Sequence, residues 1–200
     1  VAVNTSDVEL KVPGTVPPKT LVVHPNPKEG VGIAWQSPIS GRVRITGKIQ
    51  DAHNCGDSVS WHIDHVNAKG LRNLREGAIG TNLSQDYSTN EKPIEVTVRA
   101  GDFLQLAVMP KSNHGCDLTQ VDLTIAEVEG KNRTWNVVAD VLTDFLEGNP
   151  NDDQYGNSGV WHFFLVAEDR GKSQGGTSSK DLTAKELAEL QTAIDRMSKE

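Results

Sequence analysis

The chain has 200 residues, 36% of them hydrophobic and 24% charged, with a formal net charge of −7. This composition fits one large β domain or two small ones and excludes a disordered chain. The acidic balance argues against nucleic acid as a partner, because phosphate binding needs clustered Lys and Arg. No apolar run approaches the roughly 20 residues of a membrane span.

Residues 1–19 are polar and contain Pro13, Pro17 and Pro18, which predicts an extended lead-in. Starting at Val1 with no initiator Met, the chain reads as a processed product or a module of something longer. Short runs of period-two alternation follow. They begin with Leu21 to His24 and Val31 to Trp35. Val43, Ile45 and Ile49 then alternate with Arg42, Arg44, Thr46 and Lys48, giving a strand with one buried face. Val59, Trp61 and Ile63 alternate with Ser60, His62 and Asp64, which turns His62 away from the core. A further strand is expected around Leu71 and Leu74. Ile94, Val96 and Val98 lead through a Gly101-Asp102 turn to Phe103–Val108. Strands around Val121–Val128, Trp135–Val141 and Val160–Val166 complete the series. Turn signals recur about every ten residues, the mark of an all-β antiparallel β-sandwich or jelly roll. That domain is predicted over 20–168.

Three segments differ. Residues 143–159 form a long polar loop, a kind that is often functional. Residues 169–182 are rich in Gly, Ser and Lys and read as a flexible linker. In 183–200, Thr183 and Glu186 make a capping box, and Leu187, Leu190, Ile194 and Met197 share one face of an amphipathic helix.

The only two cysteines lie in His53-Asn54-Cys55 and His114-Gly115-Cys116. A His-x-Cys pair on extended chain projects both side chains to one side. Two such pairs could form a Cys55–Cys116 disulfide, or a tetrahedral zinc site with His53 and His114, or could remain buried thiols. Asp51, Asp57 and Asp117 stand beside the triplets, and loops rich in Asp and Asn suit Ca²⁺, which takes six to eight oxygens. The Asn149–Asn157 stretch with Asp152 and Asp153 is a second calcium candidate; turn formation accounts for the same residues without an ion. There is no nucleophile elbow, P-loop or dinucleotide fingerprint, and no Cys-x-x-Cys-His for haem.

Trp35, Trp61, Trp135 and Trp161 all fall in strand-like runs. Core packing explains any one of them, but Trp161 follows the polar loop and precedes His162, so it and Tyr155 are candidate platforms for a sugar ring. Asp153, Asn157 and His162 are the polar groups placed to bind hydroxyls beside them.

The run Leu21-Val22-Val23-His24-Pro25-Asn26-Pro27, the run Ala34-Trp35-Gln36-Ser37-Pro38, the stretch Gly47 to Trp61, Asn113-His114-Gly115-Cys116-Asp117, and Gly156-Asn157-Ser158-Gly159-Val160-Trp161-His162-Phe163 together resemble a β-sandwich module of large secreted planctomycete proteins. Those proteins often also carry cytochrome-c-like modules. The resemblance spans roughly residues 15–167. It implies a galactose-binding-like jelly roll in a secreted, periplasmic or cell-surface setting, with neighbouring modules as partners. In that context the triplets read as a disulfide joining two loops at one end of the sandwich. The expected function is a non-catalytic carbohydrate-binding module taking a polysaccharide or oligosaccharide. The alternatives are a structural or protein-interaction module and, behind it, a metal or redox site at the triplets.

Overall fold

In the computed structural model, residues 1–167 are described. The linker and helix predicted over 169–200 lie outside them. The strands are β1 (Ala2–Asn4), β2 (Leu10–Val12), β3 (Gly14–Val16), β4 (Thr20–Val23), β5 (Glu29–Gln36), β6 (Gly41–Asp51), β7 (Val59–Asn67), β8 (Gly70–Ala78), β9 (Ser84–Asp86), β10 (Ile94–Val98), β11 (Phe103–Pro110), β12 (Thr119–Glu127), β13 (Thr134–Asn136) and β14 (Trp161–Ala167). One short helix, α1 (Val137–Val141), interrupts them.

Two antiparallel sheets carry the fold. The first runs β1-β4-β12-β6-β10, with β13 beside β12 and β9 beside β6; the second runs β14-β5-β11-β7-β8. Eight of these strands behave as one long hairpin folded over on itself. β4 pairs β12, β5 pairs β11, β6 pairs β10 and β7 pairs β8. This is the winding of a jelly roll, and β14 extends its second sheet by pairing with β5.

The alternation seen in the sequence is what closes the two layers. Val43, Ile45 and Ile49 of β6, Val121, Leu123 and Ile125 of β12, and Ile94, Val96 and Val98 of β10 face inward from one sheet. Val31, Ile33 and Trp35 of β5, Leu104, Leu106 and Val108 of β11, and Val59, Trp61 and Ile63 of β7 face them from the other. All four tryptophans belong to this core. Trp35 packs against Trp135 at 5.0 Å between ring centroids, and Trp61 meets Tyr87 edge-on at 5.1 Å. A second, smaller apolar cluster lies on the outer side of the five-stranded sheet, around Ala34, Ala107, Phe164 and Val166. Phe164 lies so close across Gly32 that a Cβ there would come within 2.5 Å of its ring.

Two expectations are corrected. The first 19 residues, extended as expected, are part of the domain and not a lead-in to it. β1 is the edge strand beside β4, and β2 and β3 form a hairpin tied to the domain by the Thr15 amide on the Ala52 carbonyl at 2.8 Å. Asn4 is buried, and its side-chain nitrogen donates to the carbonyls of Val8, Val16 and Pro17. The second correction concerns 135–141, read as one strand. The strand stops at Asn136, whose side chain accepts from the Ala139 amide and caps α1.

Candidate functional site

The turn from β6 to β7 and the turn from β11 to β12 meet at one end of the sandwich. Each carries the chain from one sheet to the other. Cys55 and Cys116 join them in a disulfide with 5.6 Å between Cα atoms. The approach is tight. Gly56 has φ +79°, and a Cβ there would collide with the Gly115 carbonyl. His53 also lies close to the two sulfurs, all three ligand-type atoms falling within 4.8 Å of one another. With both sulfurs spent in the bond, no thiolates remain for the zinc centre that the triplets allowed. His114 is not part of this group; its ring sits edge-on to His24 at 6.4 Å.

Around the disulfide, several buried oxygens lack hydrogen-bond partners. Asp117 has 0% exposure, and neither carboxyl oxygen is bonded. Burial, then the nearby charges of Asp57 and Asp51, push its pKa up to about 6. Asp51 accepts the Asn82 amide at 2.7 Å on one oxygen and leaves the other unpartnered. Asp57 does the same with the Ser112 amide at 2.9 Å, and this bond is the chief reason its pKa is lowered. The Ser58 hydroxyl is buried and unpartnered too. The three aspartates therefore share one corner and one field. They are not, however, the side chains that close to within 4.8 Å of one another there.

The polar loop of 143–159 closes the side of the sandwich between β13 and β14. It is built on its own hydrogen bonds. Asp153 is the hub. One oxygen accepts the amides of Tyr155 and Asn157, and the other accepts the Trp135 indole N–H at 2.6 Å and the Asn157 side chain at 2.7 Å. Asn149 exchanges two bonds with the backbone of Phe163. Asp152 accepts the Gly159 amide at 2.8 Å. Trp161 is fully buried, with its indole N–H on Asp140 at 2.8 Å. This corrects its reading as a sugar platform, since neither face of the ring is open to a ligand. His162 is buried as well, and burial lowers its pKa. Asp153 and Asn157 are engaged within the loop. Of the five residues expected to bind ligand, Tyr155 alone is well exposed, at 44%, and its hydroxyl is held on the Thr134 carbonyl at 3.1 Å.

Sequence reasoning missed two arrangements. The first lies beneath this loop. Asp140 and Asp144, one helical turn apart, and Asn151 each keep one buried oxygen without a partner. Asp140 is pushed up to about 6, first by burial and further by the charges of Asp153 and Asp144. Asp140 sits in a run read as strand, so its spacing to Asp144 carried no meaning until α1 was seen. The second is a trough on the outer face of the seven-stranded sheet. One cleft of about 500 Å³ is lined by Lys19, Lys48, Gln50, Gln120, Asp122 and Asn136. A second, of about 520 Å³, shares Gln50 and Gln120 and runs on past Asp51 to His53 and Asn82. The cross-strand pairs are Gln120 opposite Gln50 and Asp122 opposite Lys48. In the sequence this was a solvated strand face, because the partner strand's contribution depends on register.

No family model, no curated protein and no solved structure matches the chain. What can be stated of its class rests on its own geometry: an all-β jelly-roll sandwich, stapled by one disulfide across two sheet-crossing turns. Among the described residues, no helix is long and apolar enough to cross a membrane.

Proposed function

We propose that the chain is a non-catalytic carbohydrate-binding module that takes a polysaccharide or oligosaccharide along the outer face of its seven-stranded sheet. The observation that carries this is the continuous trough over β6 and β12. Its amide, carboxylate and ammonium groups (Gln50, Gln120, Asp122 and Lys48) stand as two cross-strand pairs on adjacent strands, beside an apolar wall of Val138, Ala139 and Leu142. We read it as non-catalytic; the two carboxyls raised to about 6, Asp117 and Asp140, are buried and line neither of its two clefts. A disulfide belongs to a non-reducing compartment. That agrees with a secreted, periplasmic or cell-surface module, and with the resemblance to planctomycete modules that work beside other domains.

Calorimetry against neutral and acidic polysaccharides tests this. Binding is expected for at least one, and Gln50→Ala with Gln120→Ala should weaken it about tenfold, the equivalent of roughly 1.4 kcal/mol. Silence across the panel, or an unchanged affinity in the double variant, would sink the proposal. A second reading is a structural or protein-interaction module. It is favoured by the burial of all four tryptophans, which leaves the trough without an indole to stack on a ring. Silence on glycans together with capture of a neighbouring module would select it.

A further inference from the structure

We propose that Asp140, Asp144 and Asn151 form a binding site for a hard divalent cation, calcium by preference, in the side wall of the sandwich. Each residue directs one oxygen to which nothing donates, and all three of these atoms are buried. The rest of each side chain is pinned. The second Asp140 oxygen accepts the Trp161 indole N–H at 2.8 Å, and the Asn151 Nδ2 donates to the Asp144 carbonyl at 3.0 Å. That last bond fixes which end of the amide is oxygen, so the free atom of Asn151 is an acceptor.

Asn151 is the telling member. It is 4% exposed, it is neutral, and it has no need of a counter-charge. Its own amide and carbonyl are fully used, in a bridge to Trp161 and Val160. A buried amide oxygen left without a donor costs free energy that a water or a cation would offset, and the neighbouring carboxyls of Asp140 and Asp144, which donate nothing when ionised, favour the cation. Neither Asp140 nor Asp144 enters an ion pair among the described residues. Two carboxylates and an amide oxygen are a calcium donor set, completed by backbone carbonyls or water to six or more. Magnesium, which demands a smaller and stricter octahedron, fits a site of mixed side-chain and amide oxygens less well. The absence of sulfur and imidazole from the site argues against zinc or copper.

The site would have a plain structural consequence. It ties α1 to the start of β14 through Asn151, which already bridges Trp161. A bound cation would therefore lock the 143–159 loop against the sandwich.

The full chain, stripped with EDTA and dialysed, is titrated with CaCl₂ by calorimetry and by thermal unfolding. Saturable binding is expected, with a Tm rise of roughly 5–10 °C when calcium exceeds Kd about a hundredfold. Asp144→Asn is chosen because Asp144 is half-buried and keeps nearly the same shape; it should weaken binding by roughly tenfold or more. Asp117→Asn, at the disulfide corner, should leave binding intact. Terbium gives a second readout that needs no variant. Bound here, it should light up through Trp161, whose indole touches Asp140. The proposal is overturned by any of three results: neither heat nor Tm shift in the native chain, unchanged affinity in Asp144→Asn, or loss of binding in Asp117→Asn instead. Terbium that binds without Trp-sensitised emission would overturn it as well.

Discussion

Asp117 holds a carboxyl group that nothing in the fold satisfies. Its pKa of about 6 in the folded chain stands above the ordinary 3.8. The folded state therefore binds the proton more tightly than the unfolded chain does, and the stability this contributes is present below about 3.8 and lost as the pH rises through about 6. Above that, a buried charge beside Asp51 and Asp57 works against folding. Asp117→Asn removes the charge and keeps the shape. In EDTA near neutral pH, the variant should be more stable than the native chain by on the order of 2–3 kcal/mol, and the gap should close as the pH falls towards about 4. Urea unfolding across that range measures it, and a gap independent of pH would contradict this account. The acidic character of the corner was legible in the sequence, because Asp51, Asp57 and Asp117 flank the two cysteines. The fate of Trp161 was not. A tryptophan after a polar loop looks exposed, and its true partner, Asp140, comes from 21 residues earlier in the chain.

The elements with clear alternation, β6, β7, β10 and β12, were readable because one face is core and the other largely polar, while β11 was readable as a short apolar run after the Gly101-Asp102 turn. The three-residue strands β1, β2, β3 and β9 were not. All are too short to show a period; β1 and β9 exist because β4 and β6 supply their partners, and β2 and β3 because they pair with each other in a tight hairpin. The helix α1 was misread for a different reason. Its β-branched Val137, Val138 and Val141 favour strand, and what overrides them is the cap at Asn136 and the burial of Val137 and Val141 one turn apart. Asn136 does more than cap. Its Nδ2 donates to Asp122 at 2.7 Å and to the Thr124 hydroxyl at 2.8 Å, tying the helix start to β12. Asn136→Ala should cost about 1–2 kcal/mol in chemical denaturation. Because Asn136 and Asp122 both line the trough, the same change should disturb ligand binding there. A cost below about 0.5 kcal/mol would mean that α1 is held by its valines alone.

At the level of the whole molecule, the Cys55–Cys116 bond closes a loop of 61 residues that includes β7 through β11, most of the five-stranded sheet. In the loop-entropy picture, opening it costs about 4 kcal/mol, acting mainly on the unfolded chain. Cys55→Ser with Cys116→Ser should lower stability by that order, as should a reductant during thermal unfolding. A loss well under 1 kcal/mol would show that the packed turns hold this end without the bond.

The same covalent link has a mechanical meaning. Placed in a tether between neighbouring modules, the chain can be pulled only through its outer strands. The residues between the cysteines, 61 steps along the chain, stay out of the load path as about 200 Å of hidden slack. Oxidised, the module would extend under force without that segment; reduced, it would pay out that reserve as well.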